Sequence, residues 1–122
     1  MTTLDTVAHI ASHARNHHLG KRIKMLSATP VQTILALPDN KLGLFVDWAR
    51  TLQEPLFTGH APGPRGYIDV SGRILAGDLV TITVETSGTA LRAAGLTGVL
   101  VLGQVEQHAR HRTAALAPAG GA

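Results

Sequence analysis

Cysteine is absent from the sequence. That excludes a disulfide framework, a thiolate zinc site and a cysteine nucleophile together. Aromatic residues are almost as scarce: Phe45, Phe57, Trp48 and Tyr67 are all there are. A core must then be built from Val, Leu, Ile and Ala. Too few rings remain for a base-stacking platform of the kind that reads single-stranded nucleic acid. Charge is also thin, at 16% of residues. A surface poor in charge is cheap to bury against a partner, which points to a subunit of an assembly. No apolar stretch approaches the ~20 residues of a membrane helix, so no membrane partner is expected. Asp5 and His9 interrupt the N-terminus, so no signal peptide is expected either. The location is expected to be cytoplasmic unless the chain belongs to a virus particle.

What is present fits one domain. The chain has 122 residues, 44% of them hydrophobic, enough for one core without covalent staples. Net charge is +3, unevenly placed. Arg15, Lys21, Arg22 and Lys24 make the start basic, and Arg92, Arg110 and Arg112 do the same for the end. The middle is slightly acidic. Such asymmetry suits nucleic acid, or a neighbouring subunit whose acidic middle meets these ends.

Three segments follow from patterning: 1–20 as an N-terminal helix or arm, 21–107 as a β domain, and 108–122 as a basic, flexible tail. Over residues 3–18, Leu4, Val7, Ala8, Ile10, Ala11 and Ala14 recur at helical spacing. Thr2 or Thr3 can cap that helix, and Gly20 can end it. Arg22 to Leu26, Val31 to Leu37 and Leu42 to Trp48 read as strands. A helical turn over 47–53 is the alternative for part of the last. Residues 58–66 (TGHAPGPRG) read as a loop. Tyr67 to Val70 and Arg73 to Leu75 are strand-like, with Ser71-Gly72 as a turn between them. Leu79 to Glu85 alternates most cleanly, with Val80, Ile82 and Val84 on one face and Thr81, Thr83 and Glu85 on the other. Thr89 to Ala94 suits one helical turn closed by Gly95. Val99 to Val105 reads as the last strand, with Gly103 as a bulge. The fold class expected is mainly β: a small antiparallel sandwich, jelly-roll-like, or a barrel, behind a short amphipathic helix.

Histidine is the unusual residue, with seven in the chain. His9, His13 and His17 form one stripe on the predicted helix, roughly opposite the Leu4/Val7/Ala11/Ala14 face. Two histidines at i and i+4 suit a metal, but the HExxH companion glutamate is missing, since Ala14 follows His13. The preferred reading is a polar face toward solvent or a partner, with a pH-sensitive contact as another. His18 is expected to pack at the helix end. His60 lies in the Pro/Gly loop without a nucleophile nearby in sequence. Asp47, Asp69, Asp78 and Glu85 could pair for acid–base work only if the fold brought two together; Asp78 is better explained as a turn residue. No phosphate-binding glycine motif is present. No catalysis, cofactor or bound metal is therefore expected. The residues expected to touch partners are His9, His13, His17, Arg15, Lys21, Arg22, Lys24, His60 and Arg65.

The arm, the aromatic-poor β body with GHAPGPRG, GYIDV and GDLVTITVE, and the Ala/Gly tail resemble the small accessory proteins of tailed-phage particles. These are capsid decoration or cementing proteins and head–tail joining proteins. The resemblance implies a homo-oligomeric β-sandwich bound to a shell of other subunits, without catalysis. The first function expected is thus structural: binding other protein subunits and copies of itself. The alternatives are a nucleic-acid-binding β-barrel using Arg15, Lys21, Arg22 and Lys24, and a small enzyme or metal-binding protein using histidines.

Overall fold

The computed structural model describes residues 2–20 and 22–116. It opens with helix α1 (Thr3–Asn16). Thr2 caps it reciprocally: its hydroxyl accepts from the Asp5 amide, and the Asp5 carboxylate accepts from the Thr2 amide. That bond from the Thr2 backbone holds the Asp5 carboxyl below the ordinary aspartate range. Strands β1 (Met25–Ala28) and β2 (Thr33–Ala36) form a hairpin, and helix α2 (Leu42–Ala49) follows. Strands β3 (Gln53–His60), β4 (Arg65–Arg73) and β5 (Leu79–Ser87) form an antiparallel meander. Helix α3 (Gly88–Ala93), strand β6 (Gly98–Leu100) and helix α4 (Leu102–Leu116) complete the chain.

The six strands make one sheet in the order β1-β2-β5-β4-β3-β6. The β2–β5 pair is parallel and the rest antiparallel. The chain is rich in β-structure behind an N-terminal helix, as its patterning implies. It is a mixed sheet with four helices, however, and not a purely antiparallel sandwich or barrel. The reason lies in two apolar runs. Leu42 to Ala49 places Leu42, Phe45, Val46 and Ala49 at helical spacing, and all four are buried as α2. Val99 to Val105 keeps strand form only to Leu100 and then turns into α4, where Gln104 accepts from the Val101 amide as an N-terminal cap. Gly103 is a first-turn residue and not a bulge. α4 also takes in residues 108–116 of the segment expected as a tail; 117–122 lie outside the described residues.

One face of the sheet carries the core. Leu35, Ile82, Val70, Phe57 and Leu100 lie across it in register, and all are buried. Ile10, Phe45, Trp48, Leu91 and Val105 cover it from the four helices. Gly72 is interior to β4, not in a turn, because the Leu52 Cβ would lie 2.9 Å from any side chain there. The 58–66 loop likewise shrinks to a four-residue turn, Ala61 to Pro64, between β3 and β4. Arg92 closes that turn by donating to the carbonyl oxygens of Ala61 and Gly63.

Candidate functional site

Strand residues alternate faces, so burying one set fixes the other. Opposite the core lie Ile34 and Ala36 from β2 and Thr81, Thr83 and Glu85 from β5. Beside them are Tyr67, Asp69 and Ser71 from β4 and Thr58 from β3. All are half-buried by their neighbours alone, and no described helix covers them. Leu56, Leu79, Met25 and Val99 share this face at its margins and are more than half exposed, Val99 at 74%.

The face is graded in chemistry. At one end Leu56, Ser71, Thr81 and Ile34 form an uncharged row, in which the Ser71 and Thr81 hydroxyls bond at 2.8 Å. At the other end charge is concentrated and already paired. His60 Nε2 meets Asp69 Oδ2 at 3.1 Å. The Tyr67 hydroxyl donates to Glu85 at 3.2 Å, and Arg65 donates to the same oxygen at 3.5 Å. Lys24 donates to Asp39 at 2.8 Å beside this end. That bond raises the Lys24 pKa and lowers the Asp39 pKa. Arg73 lies at the opposite end, paired with Leu79 beyond the uncharged row, and donates to the Gly77 carbonyl oxygen.

No family model, curated protein or solved structure matches the chain. What the site can do rests on its own geometry. Arg65 and Arg73 balance Asp69 and Glu85 in number, so the face has little net charge, and phosphate backbones are drawn by unmatched cations. Paired charges also cost less to desolvate than lone ones.

The expected contact residues divide between this face and α1. His60, Arg65 and Lys24 gather at the charged end. Arg22 is exposed in the approach to β1; Lys21 lies outside the described residues. Arg15 is exposed and donates to Ser12 on its own helix. The histidine stripe is not a solvent face. α1 docks through Ile10, His13 and Ala14, while Leu4 is 80% exposed. A polar ring can be buried there because the turn that ends α2 offers a partner: His13 Nε2 lies 2.7 Å from Thr51 Oγ1, and the ring stacks on Trp48 of α2. His9 is half-buried, with Nδ1 2.7 Å from Asp78 Oδ2. Thr6 donates to the other oxygen of Asp78, so Asp78 is a buried anchor for α1 and more than a turn residue. A cleft of about 700 Å³ runs beside it, lined by Thr2, Thr6, Gln32, Thr33 and Thr81. His17 is exposed, and His18 is exposed at φ 55° instead of packing at the helix end.

Sequence reasoning missed Asp69, Glu85, Tyr67 and Thr51 as partners of the histidines and arginines. A shorter hairpin would have revealed the first: once 61–64 is the turn, His60 pairs with Tyr67 and stands diagonal to Asp69. Thr51 carries no such signal, because only packing brings α2 beneath α1. Among the described residues, no helix is long and apolar enough to cross a membrane.

Proposed function

We propose that this chain is a non-catalytic assembly protein that binds protein subunits, a second copy of itself first among them, through the uncovered face of its sheet. One observation carries the reading: six strands are covered by helices on one side only, and the other side is a broad, charge-balanced surface edged by exposed Leu56, Leu79, Met25 and Val99. The strands have four, four, eight, nine, nine and three residues, which at about 3.3 Å along and about 4.8 Å between strands make a face of about 590 Å². With the side chains at its margins, that is of the order of the ~800 Å² each partner gives to a standard interface. A two-fold contact between identical faces is self-complementary by symmetry. It would set the uncharged threonine-rich ends against apolar or hydroxyl groups and leave the paired charges at the rim. The two-sheet sandwich expected of one chain would then form between two chains. Attachment to a larger shell, as the phage resemblance implies, is a setting in which such a face would serve.

Nucleic acid is the weaker reading: of the cations it relies on, Lys24 is paired with Asp39 and only Arg15 and Arg22 are exposed among the described residues, too few for useful phosphate binding. The test is solution mass by light scattering and native mass spectrometry. The wild-type chain is expected to be a dimer or higher oligomer. Thr83→Arg, at the centre of the open face, is expected to reduce it to a folded monomer. A wild-type monomer at the highest soluble concentration overturns self-association, and an oligomer untouched by Thr83→Arg overturns this face as its seat.

A further inference from the structure

The three histidines of α1 share a spacing but not a chemistry. His9 is engaged by Asp78. His13 is buried with Nε2 at 2.7 Å from Thr51 Oγ1. The Thr51 hydroxyl gives its proton to the carbonyl oxygen of Trp48, also at 2.7 Å, so toward His13 it has only lone pairs to offer. The proton of a neutral His13 therefore sits on Nε2, and Nδ1 keeps a bare lone pair. That nitrogen makes no hydrogen bond among the described residues. One turn further on, the exposed His17 holds its ring centroid 4.4 Å from that of His13, with planes inclined by 44°.

We propose that His13 and His17 form a two-imidazole site for a divalent transition-metal ion of tetragonal preference, Ni²⁺ or Cu²⁺, with water completing the coordination. The spacing carries the inference. An imidazole nitrogen about 2.1 Å from a metal puts its ring centroid about 3.2 Å away, so two rings at a right angle stand about 4.5 Å apart and two at the tetrahedral angle about 5.2 Å. The observed separation matches the right-angled case, which square-planar and tetragonal ions favour. Thr51 supplies the outer contact that ligating histidines ordinarily have: an acceptor on the other ring nitrogen that fixes tautomer and orientation. Burial and the neighbouring His17 lower the His13 pKa, which keeps the ring in its ligating neutral form. No group of three or more His, Cys, Asp or Glu able to hold a metal occurs among the described residues. The ion would thus be held by two protein ligands, exchange with solvent, and clamp the last turn of α1. The site is independent of the proposed interface.

Titration calorimetry of chelator-stripped protein with NiCl₂ at neutral pH tests this. One Ni²⁺ per chain is expected. His17→Ala removes one of two ligands and is expected to weaken binding by at least about tenfold. His111→Ala, on the exposed side of α4, is expected to bind as wild type does. Ni²⁺ is expected to raise the melting temperature of wild type and His111→Ala, but not of His17→Ala. No saturable binding by the wild-type chain overturns the proposal. So does binding that survives His17→Ala undiminished, which would place the ion elsewhere.

Discussion

Gly59 sits on the core side of β3, where the carbonyl oxygen of Leu96 comes so near that a Cβ would collide with it, and the Leu100 side chain lies 3.1 Å from the same point. The obstacle is backbone, which cannot turn aside as a flexible side chain can. Gly59→Ala is therefore expected to cost about 1–3 kcal/mol of stability, measured by urea unfolding. An unchanged midpoint would mean that the α3–β6 connection gives way freely. At this scale the polar interior is equally specific. Thr86 donates to Asn40, and Thr51 bridges His13 to the Trp48 carbonyl. Each arrangement satisfies a buried polar group that would otherwise oppose folding.

Among the elements, β4 and β5 have nine residues each and are paired on both sides. Edge strands β1 and β6 have four and three residues and one neighbour apiece. Amides of Ile68, Val70, Ile82 and Val84 are thus expected to exchange slowest with deuterium, and those of β1 and β6 faster by orders of magnitude. Fast exchange at Ile82 would contradict a core centred on β5. The sheet's legibility in the sequence follows the same gradient. The β5 alternation reads correctly because Val80, Ile82 and Val84 turn to the core while Thr81, Thr83 and Glu85 turn away from it. The start of α1 reads correctly because Thr2 and Asp5 are local signals, but the helix ends at Asn16, before the expected residue 18, and His18 is the first left-handed residue ahead of Gly20. α2 does not, because LGLFVDW is apolar enough to satisfy a strand's needs as well as a helix's. Ser71-Gly72 has turn composition but strand geometry, since the glycine is there to admit Leu52.

For the whole molecule, the terminal helices share one vulnerability. Each docks with a buried histidine, His13 on α1 and His108 on α4. Burial lowers the pKa of both, assisted by His17 at the first and by Arg112 and His111 at the second. The unfolded chain takes up these protons at about pH 6.5, before the folded chain does. Their contribution is therefore fully present above about pH 6.5 and is lost as pH falls through the lower folded values. In metal-free buffer the melting temperature is expected to drop between about pH 7.5 and pH 5. A melting temperature that holds or rises over that interval would contradict neutral burial of the two rings.

The sequence by itself determined the first helix and its cap, the central strand β5, the turn chemistry around Gly77 and Gly95, and the lack of any cysteine-based or glycine-loop chemistry. These are local properties, written in residues within one turn or one strand of each other. Only the tertiary structure decided that Leu42 to Trp48 is a helix, that β2 joins β5 in parallel, and that the histidine stripe turns its middle ring inward onto Thr51. Those outcomes depend on partners ~10–50 residues away, which periodicity cannot see. The open sheet face belongs to the second class. Its polar side was legible in β5 from the start, but that nothing described covers it was decided only when all four helices gathered on the other side.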